Sequence, residues 1–202
     1  AWAHEGSDIA PDPAVRFGDL PNGMRYALLK NQLPPGAVSM RLSVDFGSLE
    51  EAENEKGLAH FIEHMAFNGS KNVREGEMVK ILERLGLAFG ADTNASTSQE
   101  FTTYQLELPN ASDALVDESL FLLREVASEL TFDSQAIDRE RGVVLSEWRR
   151  GDNFQRRRND QQLEFLIPGD YAVSRMPIGD PVVLETATRE TMVSLYERYY
   201  RP

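Results

Sequence analysis

Two of the three histidines in the chain stand four residues apart, in Gly57-Leu58-Ala59-His60-Phe61-Ile62-Glu63-His64-Met65-Ala66-Phe67. On a helix this spacing puts His60 and His64 on one face about a turn apart, where two imidazoles can share one first-row metal ion. Glu63 lies three residues after His60, so its carboxylate sits beside the same ion, placed to hold a water. The order H-x-x-E-H reverses the H-E-x-x-H metallopeptidase helix and is the inverzincin signature. The plain alternative is an ordinary helix carrying two incidental histidines. Against it stand the apolar neighbours Leu58, Phe61, Ile62, Met65 and Phe67, because a buried helix must find partners for its imidazoles and carboxylate.

A hydrolytic zinc site takes three protein ligands and leaves one position open. The chain has no cysteine and only His4 besides the motif histidines, so the third ligand is expected to be a carboxylate. Glu140 and Glu147 stand two helical turns apart on one face of Asp138-Arg139-Glu140-Arg141-Gly142-Val143-Val144-Leu145-Ser146-Glu147-Trp148. One of them can ligate while the other accepts the free ring N–H of a histidine. Spacing does not rank the two.

The elements that must position these groups follow from hydrophobic period and turn chemistry. Val15–Leu20 and Met24–Lys30 flank Pro21-Asn22-Gly23, and Asn-Gly is a hairpin turn signal. Val38, Met40, Leu42, Val44 and Phe46 alternate with polar residues, predicting a half-buried strand. Helices are predicted over about 57–67 and 75–85, the second closed by Gly86. Strands are predicted over Ala88–Ala95 and Phe101–Leu108. A helix spaced by Val116, Leu120, Leu123, Ala127 and Leu130 comes next. A long helix is expected from Ser134 past Trp148, extending toward Phe165 and ending at Ile167-Pro168-Gly169. The last helix covers Arg189 to Tyr199. This order predicts an α+β fold, a mixed and mostly antiparallel sheet with helices packed on one face.

Composition narrows the function. The 202 residues are 41% hydrophobic and 27% charged, ordinary for a globular chain. A formal charge of −12, from 21 Lys+Arg against 33 Asp+Glu, would repel a phosphate backbone, so no nucleic-acid partner is expected. No apolar run approaches a membrane span. The absence of cysteine excludes disulfides and a thiol nucleophile. The cluster Glu50, Glu51, Glu53 and Glu55 has two readings, plain solubility or attraction of basic peptides near the entrance to the site. Arg156-Arg157-Arg158 reads as a solvated or interface face. The start Ala1-Trp2-Ala3-His4 reads as trimmed and fits export to a periplasm; a cytoplasmic protein could begin the same way.

The segment G-L-A-H-F-I-E-H-M-A-F-N-G-S, followed downstream by E-R-G-V-V-L-S-E, resembles the pitrilysin-type (M16) zinc peptidases. The resemblance runs from the hairpin near Asn22-Gly23 to Tyr199-Tyr200-Arg201-Pro202. It implies one Zn²⁺ per chain on His60, His64 and Glu147, with Glu63 as catalytic base and Glu140 hydrogen-bonded behind a histidine. It also implies that Asn94 and Ala95 bind substrate along a strand edge. Residues 1–14 are then an irregular lead-in. Residues 15–202 are a peptidase domain expected to lack its last strands and the second half that closes over the peptide substrate, supplied by a companion half or subunit. The expected function is Glu-assisted, zinc-dependent peptide hydrolysis; the alternative is a non-catalytic scaffold or peptide-binding subunit of a two-part assembly. A lyase acting on S-ribosylhomocysteine shares the inverted motif but relies on cysteine, which this chain does not have.

Overall fold

The computed structural model describes every residue except Ala1, Ala3, Phe89, Ala91 and Asp92. The hairpin β1 (Val15–Asp19) and β2 (Arg25–Leu29) forms a two-stranded sheet. A second sheet has the order β3 (Val38–Val44), β5 (Thr102–Leu108), β4 (Thr93–Thr97), so β5 is central and β4 is an edge. Every ladder between these strands is antiparallel. The helices are α1 (Leu58–Met65), α2 (Glu77–Arg84), α3 (Asp113–Ser128), α4 (Ser134–Gly151), α5 (Phe154–Leu166), α6 (Pro181–Thr186) and α7 (Arg189–Tyr199). The α+β expectation holds.

Alternation decides which face of the sheet is covered. Thr102, Tyr104, Leu106 and Leu108 of β5 are buried together with Leu42 and Val44 of β3, and α1 and α3 pack against β5. From α1 come Leu58, Phe61, Ile62 and Met65, all essentially inaccessible to solvent. Burial of each such side chain contributes about 1.5–3 kcal/mol. Helix α4 crosses α1, and Ala136, Ile137 and Val144 turn inward. Among the described residues no helix is long and apolar enough to cross a membrane.

The structure revises or adds to the sequence reading at four places. The long helix is two helices, because the Asn153 side chain accepts the Arg156 N–H and starts α5 afresh after Asp152. This local side-chain bond competes with helix continuation. Helix α6 is unforeseen; Asp180 caps it ahead of Pro181. The strand expected over Ala88–Ala95 is seen only from Thr93, and its Phe89, Ala91 and Asp92 lie outside the described residues. Finally, the acidic cluster is held by partners within the fold. Glu51 is buried, Glu53 pairs with Lys56 and Arg175, Glu55 with Arg198, and Glu50 accepts the Gly47 N–H.

Glu51 holds the start of α1. The N–H groups of Gly57 and Ala59 donate to its two carboxylate oxygens at 2.8 and 2.7 Å, satisfying donors that a helix start leaves free. The Glu51 backbone carbonyl accepts from the Arg175 guanidinium and the Tyr171 hydroxyl, both at 3.2 Å. Gly57 has φ of +94° and lies against Gly179, where an added Cβ would come within 2.3 Å of the Gly57 Cα. Only glycine allows this approach.

Burial pushes the Glu51 carboxyl from 4.5 up to about 7, although the Ala59 and Gly57 N–H groups pull it down. The folded chain therefore keeps a proton that the unfolded chain has already released. That stabilising contribution is full below about 4.5 and is lost as pH rises through about 7. Glu51→Gln cannot ionise, so between about pH 5 and about pH 8.5 it should gain on the wild type by on the order of 2–3 kcal/mol in urea denaturation. A difference constant with pH would show that the fold leaves the Glu51 carboxyl in the ordinary carboxylate range.

Candidate metal centre

Helix α1 turns His60, Glu63 and His64 toward α4 and the edge strand, while its apolar side faces the core. His60 Nε2 and His64 Nε2 stand 3.1 Å apart. Glu147 Oε2, from α4, lies 3.7 Å from the first and 3.5 Å from the second. One ligand atom from each of these residues lies within 4.8 Å of the others. Tetrahedral zinc with bonds of about 2.0–2.1 Å separates its donors by roughly 3.3 Å. Three lone-pair donors converging at these distances fit one divalent cation.

Glu140 stands one layer back. His64 Nδ1–H donates to Glu140 Oε1 at 2.7 Å, which leaves the Nε2 lone pair directed at the cluster. The structure thus separates two glutamates that spacing could not rank: Glu147 reaches both ring nitrogens of the cluster, and Glu140 only the far side of His64. Glu63 is buried, and its Oε2 accepts from the Thr97 hydroxyl at 2.6 Å.

Proton affinities diverge within this small volume. Burial, reinforced by the charge of His64, pushes His60 down to about 4, so it is neutral and basic at its free nitrogen near pH 7. Burial also works against a proton on His64. The Glu140 hydrogen bond and the charges of Glu147, Glu140 and Glu63 outweigh it and raise His64. Burial raises Glu63, opposed by Thr97 and His64. Burial would raise Glu140 too, but the His64 and Asn68 contacts hold it below the usual carboxylate range.

Asn94 and Ala95 lie on β4, paired on one side with Gln105 and Tyr104. Ser98 N–H points to β5, donating to the Phe101 carbonyl. By strand alternation the N–H and C=O of Ala95 and Thr97 point the other way, off the sheet edge. There the exposed Asn94 side chain accepts the Ala95 N–H at 2.9 Å. Sequence reasoning gave no role to Thr97 or Asn68 and placed Glu51 only in an acidic cluster. Only Thr97 carried a signal, being a polar residue on the same strand face as Ala95.

A profile described as insulinase (peptidase family M16) matches residues 26–164. The chain is 37% identical over 191 residues to a probable zinc protease PqqL from Haemophilus influenzae, covering 95% of this chain and 21% of that protein. A probable zinc protease PqqL from Escherichia coli is 35% identical over 194 residues, with 96% and 21% covered. The crystal structure of the first half of the periplasmic protease PqqL from Escherichia coli superposes with a TM-score of 0.93 at 34% identity, covering 97% of this chain and 42% of that one. The chain spans about a fifth of the length of these curated relatives.

Thr97 supplies the hydrogen bond that fixes Glu63, and Thr97→Val removes it at nearly constant volume. With the bond gone, burial acts on Glu63 with less opposition, and its proton should be held to higher pH. Carboxyl ¹³C shifts followed across a pH titration should place the Glu63 midpoint above that of the wild type in the Val variant and restore it in Thr97→Ser. Coincident curves for all three chains would remove Thr97 from control of Glu63.

Proposed function

Since the chain belongs to the insulinase family of M16 peptidases, we propose that it is the metal-bearing part of a zinc-dependent peptidase that hydrolyses peptide bonds. His60, His64 and Glu147 would hold one zinc ion per chain. The observation that carries this reading is the convergence of His60 Nε2, His64 Nε2 and Glu147 Oε2. When bound, zinc supplies Lewis acidity, which lowers the pKa of a water and polarises a carbonyl.

The remaining work falls to side chains. His60 offers a neutral imidazole because burial keeps protons off it. Glu140 accepts the Nδ1 proton of His64 and so aims the opposite nitrogen inward. Glu63 is the general base. Thr97 holds its Oε2, leaving Oε1 to take a proton from the attacking water and return it to the departing amine. Burial raises Glu63 in the metal-free chain, and the charge of a bound cation would act in the opposite sense. The outward edge of β4 at Ala95 accepts the substrate backbone as an added strand, with the Asn94 carboxamide moving off the Ala95 N–H to admit it.

The second half of the catalytic chamber would come from a companion half or subunit, in line with the fifth of the relatives' length that the chain spans. An exported, periplasmic location follows the description of the Escherichia coli relative as a periplasmic protease.

Glu63→Gln tests the chemistry. Assayed with its companion half, this variant should keep its zinc and lose hydrolysis by roughly 10²–10⁴-fold; full activity with stoichiometric zinc would remove Glu63 from the mechanism. The ligand set has its own test, in a competition titration against a chromophoric chelator. Glu147→Gln should weaken zinc binding more than Glu140→Gln, since the first deletes a ligand and the second only an orienting contact. The reverse order would reassign the third ligand.

A further inference from the structure

Asn68 stands just beyond the end of α1, four residues after His64. Its Nδ2 carries two hydrogens, and both are used. One goes to the His64 backbone carbonyl at 2.9 Å, the other to Glu140 Oε2 at 3.1 Å. The other Glu140 oxygen, Oε1, accepts His64 Nδ1–H at 2.7 Å. A closed ring results, from the His64 carbonyl through the Asn68 amide and the Glu140 carboxylate to the His64 imidazole.

This closure matters because a carboxylate gripped at one oxygen can still rotate about its terminal torsion, which is broad and soft. A second donor on the other oxygen fixes the carboxylate plane. That plane sets the direction along which the imidazole N–H must point. Because Asn68 is tied to the carbonyl of the same histidine, it also holds Glu140 in register with the helix end that carries the ring. The side chain is part-buried, so water competes only weakly for these bonds.

We propose that Asn68 is a positioning residue of the metal centre: by fixing Glu140, it keeps the His64 proton on Nδ1 and the Nε2 lone pair aimed at the cation, and so sets zinc affinity without touching the ion. The inference rests on the ligand set proposed above. Outer partners of ligating histidines typically change metal affinity by about 10–100-fold when removed.

The test is a double-mutant cycle on zinc affinity, measured by chelator competition, with the melting temperature of each zinc-free chain recorded alongside. Asn68→Ala should weaken zinc binding about 10-fold. In a Glu140→Ala background the same change should cost less than about twofold, because no carboxylate is left to position. Asn68→Leu, which keeps the volume and lacks the donors, should repeat both results if the alanine variant folds poorly. An equal loss in the two backgrounds would mean that Asn68 acts only by closing the helix end, and would overturn the proposal. So would unchanged affinity in Asn68→Ala with a wild-type chain that takes up zinc. A wild-type chain that takes up none would instead bring down the ligand set itself, and this inference with it.

Discussion

Everything chemical in this chain depends on holding an eight-residue helix at both ends. A helix as short as α1 (Leu58–Met65) is not stable alone, yet it must present two imidazoles and a carboxylate to within a fraction of an ångström. Its apolar side supplies the adhesion, through Leu58, Phe61, Ile62 and Met65. Such adhesion sets which side of the helix faces the core but leaves its finer rotation and axial position loose. Those come from polar contacts at the ends. Glu51 takes two N–H groups at the start, and Gly57 and Gly179 let the chain close tightly behind it. At the far end Ser70 and Asn72 are tied to the buried Glu125 on α3, by a 2.6 Å bond from the Ser70 hydroxyl and a 2.9 Å bond from the Asn72 carboxamide. Both anchors are carboxylates, and neither belongs to the metal cluster.

Within the cluster, identical side chains are driven to different proton affinities by their neighbours. Glu63 and Glu140 are both glutamates close to His64. Glu63 is buried and receives a single hydroxyl hydrogen bond, and burial prevails, raising it. Glu140 receives an imidazole N–H and a carboxamide N–H, and donors prevail, lowering it. The histidines divide in the same way: His60 sits under burial and a like-charged neighbour, His64 among carboxylates. Environments that push like groups apart assign acid, base and ligand roles on one scaffold. A cation held there would offset the repulsion from Glu147 that adds to the effect of burial on Glu63.

What could be read in the residues alone follows the range of each interaction. His60, Glu63 and His64 are legible because their relation is contained within about one helical turn, which backbone geometry dictates. Glu140 and Glu147 are legible as a pair for the same reason. Their division of labour is not, because it depends on where α4 crosses α1. Thr97 lies 34 residues from Glu63 and Asn68 lies 72 from Glu140, so these contacts are properties of the packing alone. The hairpin and the β3 alternation come through because turn chemistry and period are local. The break between α4 and α5 is local too, but it is easily missed. No residue of α5 is buried, so no apolar stripe marks where the pattern restarts, and only the capping carboxamide of Asn153 records the break.

Strand β4 brings these strands of reasoning together through one residue. Thr97 has its backbone on the outer, unpaired side of the sheet, by the alternation that sends Ser98 N–H to Phe101. Its side chain points to α1 and grips Glu63. On the reading proposed here, a peptide adding to that edge bonds to the backbone of the residue whose hydroxyl holds the base. The distance from the incoming carbonyl to Glu63 is then set across a single residue rather than through a loop, and a strand pleat varies little. Register errors are costly for the same reason. A slip of one residue along β4 turns every side chain of the added strand to the opposite face. Alignment of the scissile bond with its base is in that case a consequence of sheet geometry.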